Sequence, residues 1–349
     1  NSPAKLIMGI ESSCDDTGAA VVTTDGRVLG EALATQADIH AAFGGVVPNL
    51  AMEAHRAAID RVVDEALAKA GVTTADLDAV AVTVGPGLSL CLRVGAAKAL
   101  SISAQHQLPL IRVHHMEAHA LVARALADQA ARPAFPFLCL LVSGGHNLLM
   151  LVRGVGNYVQ IGTTVDDALG EAFDKVARLL GLSLKPSGGA AVEAMAKEGD
   201  PLAYKFVVPM RKRSNCDFSY AGLKTSVRLA VEANLGAAAT GSAQGAGSAG
   251  PTSSGHTAGA SQLPGAEHEG RASSGAEAST SAAAADSAEV HKIKADIAAS
   301  FQHIATVHLM ERLARGLSWA RELEPDLKTL VVAGGVACNQ HIRGRLSSL

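Results

Sequence analysis

The chain has 349 residues, 48% of them hydrophobic and 18% charged, with a formal net charge of -3. That length exceeds one ordinary domain and fits two lobes, or a domain with a large insertion; the near-neutral charge argues against wholesale nucleic-acid binding and confines any RNA contact to a local basic surface. Apolar runs such as 135–142 stop far short of the roughly 20 residues a membrane span requires, so no membrane association is expected, and five cysteines without a CxxC pair exclude a zinc knuckle and a disulfide framework and point to a reducing compartment.

From Asn1 onward neither a signal-peptide apolar block nor an Arg-rich presequence is present, so a targeting segment is expected to be removed or left out. Short β-rich runs then alternate with helical patterns. Strands are predicted at Leu6 to Ile10, Gly18 to Thr23, Ala79 to Val84 and Leu110 to Val113, with helices at Asn49 to Ala70 and Val94 to Gln105. The alternation restarts with strands at Phe137 to Leu141 and Leu148 to Val152. It continues through helices near Glu171 to Leu180 and Ala295 to Glu322 to a strand at Thr329 to Val332. This predicts an α/β chain of two lobes, 1–130 and 131–349, the second truncated at its end. Residues 236–288 hold one large apolar side chain, Leu263, among Ala, Gly, Ser and Thr, so they are expected to form a disordered insertion in the second lobe.

Three glycine- and hydroxyl-rich turns follow strands, where backbone N–H groups can meet a phosphate. The first, Gly9 to Gly18, offers Ser12, Ser13 and Thr17 as donors, with Asp15 and Asp16 available for a cation. The second is Leu141-Val142-Ser143-Gly144-Gly145-His146 and the third Val332 to Asn339. Each alone is a commonplace glycine turn. Together, one grip per lobe plus a late strand–Gly-Gly–helix turn describe a duplicated actin-like (RNase H-like) fold, which by itself fixes no reaction.

His115 and His119 lie four apart in a helix-like segment, so both imidazoles share a face with Cβ atoms about 6 Å apart, close enough to share a cation. An i, i+4 histidine pair on its own is more often a surface or capping feature. Metallopeptidases place a glutamate directly after the first histidine; here that residue is Met116, and Glu117 lies about 200° around the helix from His115. His114 is expected to end the preceding strand.

Gly9 to Gly18, Gly44-Gly45-Val46-Val47-Pro48, Gly85-Pro86-Gly87-Leu88, His115 to His119, Ser143-Gly144-Gly145-His146, Gly170 to Lys175, Asp217 to Thr225 and Ala333 to Asn339 stand in an order that resembles the TsaD family. These are tRNA N6-adenosine threonylcarbamoyltransferases, once described as O-sialoglycoprotein endopeptidases. The resemblance spans both ends of the chain apart from the insertion. It implies transfer of a threonylcarbamoyl group from threonylcarbamoyl-AMP, made by a separate synthase, to N6 of an adenosine in transfer RNAs that read codons beginning with adenine. It implies one divalent metal ion (Zn, Fe or Mg) on His115 and His119, and the adenylate phosphate on Leu141, Val142, Ser143, Gly144 and Gly145. Asp174, Gly189 and Asn339 are expected to hold ribose and adenine, with Glu193 and Cys338 as further contacts. The family's third metal ligand, an aspartate in a Cys-Thr-Asp-Asn motif, is expected beyond Leu349. Lys185 to Ala190 and Asp217 to Gly222 look like the organellar branch, giving a mitochondrial expectation with a plastid as alternative. A homodimer is expected.

Arg211-Lys212-Arg213, with Lys205, Lys224 and Arg228, is the densest basic stretch and the expected RNA backbone contact; a solvated surface cluster is the alternative. One Trp, three Tyr and seven Phe leave little for base stacking, and the five cysteines read as buried small residues. Two other functions use the same loops: an actin-like ATPase or kinase, and a nucleotide-binding scaffold without catalysis.

Overall fold

The computed structural model describes residues 3–41, 43, 45–126, 131–185, 187–236 and 276–349, without the side chains of 41, 126 and 276–286. Gly44 of one motif, Pro186 of another and residues 237–275 of the low-complexity stretch lie outside the described residues.

Two sheets repeat one topology. In the first, β1 (Leu6–Glu11), β2 (Asp16–Thr23) and β3 (Val28–Thr35) form an antiparallel meander, and β4 (Ala79–Gly85) and β5 (Leu110–His114) add in parallel beyond β1, giving the order β3-β2-β1-β4-β5. In the second, β6 (Phe137–Val142), β7 (Asn147–Gly154) and β8 (Asn157–Thr163) form the same meander. There β9 (Leu330–Ala333) lies parallel to β6, giving β8-β7-β6-β9. This is the duplicated actin-like arrangement the loops predict.

The repeat follows from patterning. Strands β1 and β2 alternate buried and partly exposed residues, and their apolar face, with Met8, Ile10 and Val21, packs on Ile59, Val62 and Val63 of α2 (Pro48–Ala70), which follows the short α1 (Ala37–Ala41), and on Ile102 of α3 (Ser89–His106). Helix α2 starts with Pro48 in its first turn and stops at Gly71, whose φ of 70° places it in the left-handed region that closes a helix. Strand β6 is buried along its whole length, as its unbroken run Phe-Leu-Cys-Leu-Leu-Val requires. One of its faces, Phe137, Cys139 and Leu141, meets Met116 and Ala120 of α4 (His115–Leu126). Each Val, Leu, Ile, Phe or Met side chain so removed from water contributes about 1.5–3 kcal/mol.

Two compact units emerge. The first comprises 1–165, 215–218 and 312–338 and holds both sheets; the second comprises 166–214, 219–311 and 339–349 and is helical. Its helices are α5 (Leu169–Leu179), α6 (Gly188–Ala196), α7 (Ala221–Leu235), the part of α8 (Ala276–Leu323) up to Glu311, and α9 (Gln340–Leu346). Helix α8 begins at Ala276, so the helical assignment extends into the stretch expected to lack structure through 288; the alanines at 282–285 are strong helix formers. No helix of the described residues is long and apolar enough to cross a membrane.

Candidate functional site

In the first unit, strand β5 ends at His114 and α4 begins at His115, as the sequence predicts. The two imidazoles on one face of α4 are T-shaped with ring centroids 4.5 Å apart, and their Nε2 atoms are 3.1 Å apart. Two nitrogens each about 2.1 Å from one cation stand roughly 3.0–3.4 Å apart when they subtend 90–109°. The pair therefore fits a shared cation. Glu117 is turned away as expected: its Oε1 accepts from Gly156 N at 2.9 Å and from the Tyr158 hydroxyl, so it serves the β7–β8 turn and not the imidazoles. Among the described residues no cluster of three or more His, Cys, Asp or Glu side chains has metal-binding geometry.

Glu11 stands beside this pair. Its Oε1 accepts from Ser13 N at 2.5 Å and its Oε2 from Thr83 Oγ1 at 2.5 Å, while Oε2 lies 3.4 Å from His115 Nδ1. Ser13 Oγ is 3.2 Å from the same nitrogen. Burial pushes the Glu11 carboxyl up, but the hydrogen bonds from His115, Ser13 and Thr83 outweigh it and hold its pKa at about 2. Burial and the neighbouring His115 lower the pKa of His119, and burial with the same neighbour lowers that of His146. Neutral imidazoles are the ligating form.

The expected phosphate donors divide sharply. Ser12, Ser13 and Thr17 do not present free hydroxyls. Ser12 Oγ donates to Cys91 O at 2.9 Å and accepts from Gly95 N at 3.1 Å, and Thr17 Oγ1 is 2.7 Å from His55 Nδ1. The Ser12 and Thr17 hydroxyls are buried and tie the first turn and β2 to α3 and α2, which corrects their assignment as anion donors, while the Ser13 hydroxyl faces His115. Asp15 and Asp16 remain at least partly exposed at the same turn.

The second loop is different. Ser143 N donates to His146 O at 2.8 Å and His146 N to Ser143 Oγ at 3.0 Å, which closes the β6–β7 hairpin. Between them Gly144 and Gly145 are exposed, and a Cβ at either would meet nothing within 4 Å. Leu141 and Val142 are buried in β6 and supply the rigid base of the loop. The third loop packs under this one. Gly334 has φ +100°, and a Cβ there would lie 2.2 Å from Val142 O. Cys338, at the end of the turn, is exposed.

In the second unit, α6 gathers the remaining residues. The Asp174 carboxylate of α5 accepts hydrogen bonds from the N–H groups of Gly188 and Gly189 at the start of α6; burial nevertheless raises its pKa. Gly188 is the close-packed glycine of the two, since a Cβ there would stand 2.6 Å from Asp174 Oδ1 and 2.8 Å from its Cα. At Gly189 a Cβ would find only ordinary contacts, so its open side can face a ligand. One turn along α6, Glu193 Oε1 accepts from Gln340 N at 2.8 Å. Neighbouring Asn339 caps α9, with Oδ1 accepting from Ile342 N at 3.0 Å and Nδ2 donating to Gln302 at 3.0 Å. Both polar atoms of Asn339 thus already have protein partners.

The basic stretch is partly neutralised. Arg211 pairs with Glu311 at 2.7 Å, Lys224 with Asp167 at 2.7 Å and Arg228 with Glu232 at 4.0 Å, while Lys205, Lys212 and Arg213 are exposed. Three cysteines are buried as expected, but Cys14, in the bend after β1, and Cys338, at the end of a short 3-10 helix (Gly335–Cys338), are exposed. Sequence reasoning missed Glu11 as a partner of His115 and missed Thr83, and it placed His146 in the second loop without linking it to His115. Glu11 carried a signal, a carboxylate closing an apolar strand; Thr83 carried none.

The family described as tRNA N6-adenosine threonylcarbamoyltransferase, TsaD, matches residues 27–349. A protein of Arabidopsis thaliana named probable tRNA N6-adenosine threonylcarbamoyltransferase, mitochondrial, is 48% identical over 99% of this chain, which spans 62% of its length. The mitochondrial enzyme of that name from Danio rerio is 40% identical over 97% of this chain and 74% of its own. A Rhizobium etli protein of the same name is 41% identical over 99% and 81%.

Proposed function

The chain belongs to the TsaD family of tRNA N6-adenosine threonylcarbamoyltransferases, and from that membership we propose that it transfers the threonylcarbamoyl group of threonylcarbamoyl-AMP to N6 of an adenosine in transfer RNAs that read codons beginning with adenine. The observation that carries this reading is the imidazole pair, Nε2 to Nε2 3.1 Å, in the same unit as an open hairpin loop whose His146 interacts with His115. His115 and His119 would hold a divalent cation, which when bound would supply Lewis-acid stabilisation of charge on the leaving phosphate.

The chain's own residues bind and orient. Gly144 and Gly145 offer backbone N–H groups to the phosphate, and Ser143 with His146 fixes their direction. In the second unit Asp174, Gly189, Glu193 and Asn339 are the groups assigned to the ribose and adenine, with Asp174 an acceptor for ribose hydroxyls and Gly189 leaving room for the nucleoside. In the transfer itself the adenosine N6 forms a bond to the carbamoyl carbon and gives up one proton to water or to the departing phosphate, the bond from that carbon to the phosphate oxygen breaks, and AMP departs with the electron pair. No side chain has to carry the acyl group. Exposed Lys205 and Lys212 are the basic groups assigned to the RNA backbone. The names of the plant and fish relatives support a mitochondrial location, with a plastid as alternative, and we assign a homodimer as the working oligomer.

The test is incubation of metal-loaded protein with threonine, bicarbonate, ATP, an adenylate-forming synthase and unmodified transfer RNA. Modified adenosine is expected only when both proteins are present, and His115→Ala or His119→Ala should abolish it with the fold intact. Phosphorylation of a small molecule without modified RNA would instead identify an actin-like kinase, and full activity in both histidine variants would remove the metal assignment.

A further inference from the structure

We propose that Glu11 is a positioning residue for the imidazole pair, fixing His115 in the Nδ1–H form so that its Nε2 lone pair faces the cation; the inference rests on the metal reading above. The geometry is specific. An ionised carboxylate can only accept hydrogen bonds, so the one 3.4 Å from His115 Nδ1 calls for a proton on that nitrogen. The second group near Nδ1, Ser13 Oγ at 3.2 Å, can accept or donate and so is compatible with that tautomer, and the carboxylate decides between the two. With Nδ1 protonated, Nε2 is left with its lone pair pointing at His119 Nε2, 3.1 Å away.

The carboxylate is itself held from two sides. Ser13 N–H fixes Oε1 from the following turn, and Thr83 Oγ1 fixes Oε2 from β4, the strand paired in parallel with β1. Thr83 is buried, so its hydroxyl has no competing solvent partner. The result is a chain of contacts, Thr83 to Glu11 to His115, in which sheet geometry sets the direction of a ring on α4. Carboxylates that accept from the far nitrogen of a ligating histidine fix its orientation and raise its basicity, and their loss lowers metal affinity by about 10- to 100-fold.

The experiment uses Co2+ as the probe, titrated into the metal-free full chain and followed by its visible absorption, alongside 15N–1H correlation spectra of the histidine ring nitrogens. His115→Ala and His119→Ala come first: Co2+ binding unchanged in both would discard the metal reading itself, whatever Glu11 does. With the pair established as the site, Glu11→Ala is expected to bind Co2+ about 10- to 100-fold more weakly and to shift metal-free His115 toward the Nε2–H form. Glu11→Gln keeps the size and one acceptor but no charge, so it should fall between that variant and the wild type on both readouts. Affinities within about twofold of wild type and an unaltered tautomer in either folded variant would overturn the proposal, even if the melting temperature fell, because a merely structural glutamate predicts that result. Should Glu11→Ala not fold, Glu11→Gln decides on the same criteria.

Discussion

Replacing Gly334 with alanine tests how tightly the third loop is wedged beneath the second. The substitution adds one methyl group at a backbone φ of +100°, where an L side chain clashes with its own main chain at a cost of about 1–2 kcal/mol. The same methyl would stand 2.2 Å from the carbonyl oxygen and 2.7 Å from the carbonyl carbon of Val142, atoms of a strand buried along its length. A backbone so enclosed cannot swing aside as a side-chain tip can, and overpacking of this kind adds about 1–3 kcal/mol. The total, about 2–5 kcal/mol, corresponds to a fall in melting temperature of roughly 4–20 °C for a unit of this size. Gly335→Ala is the internal control, because a Cβ there meets nothing within 4 Å. Thermal unfolding of both variants by circular dichroism gives the answer. Equal melting temperatures would refute the wedge, and with it the view that Gly144 and Gly145 are carried on a rigid base.

Other consequences are open to the same instruments. Ser12→Ala removes both hydrogen bonds to α3 and should lower stability by about 1–3 kcal/mol in urea unfolding while leaving the KM for the adenylate unchanged; a raised KM with unchanged stability would restore Ser12 as a phosphate donor. Asp167 accepts from Lys175 at 2.8 Å and Lys224 at 2.7 Å; burial pushes its carboxyl up, but the two lysines hold it below the ordinary value of 3.8. A depressed carboxylate stabilises the fold above its unfolded-state pKa and loses that contribution as pH falls through the folded value. Asp167→Asn should therefore cost about 1–2 kcal/mol at pH 7, with the partly exposed lysines limiting the figure, and progressively less below pH of about 4. A penalty independent of pH would assign the effect to packing.

The strands legible from sequence were those with an unambiguous pattern, such as the all-apolar β6 and the alternating β1 and β2. Strand β3 escaped because Val-Leu-Gly-Glu-Ala-Leu-Ala-Thr fits a helix as well as an edge strand, and only its pairing with β2 decides. The histidine pair was readable because four-residue spacing is a local property of a helix. The partners of those histidines were not, since Glu11 and Thr83 reach them through sheet pairing across long sequence separations. The first loop failed in the opposite direction. Ser12 and Thr17 have the composition of an anion grip, but Gly95 and His55, remote in sequence, had already claimed their hydroxyls.

The junction at residues 114 and 115 has a mechanical corollary. Helix α4 is welded to one sheet through β5, with no intervening linker, and lies flat on the other through Met116 and Ala120. Any twist of one sheet against the other must flex or drag this short rod, whose first turns carry both imidazoles. The 3.1 Å gap between their nitrogens is local to the rod and travels with it, whereas the contacts of His115 with Glu11 and Ser13 cross to another element and are the ones such a twist would alter.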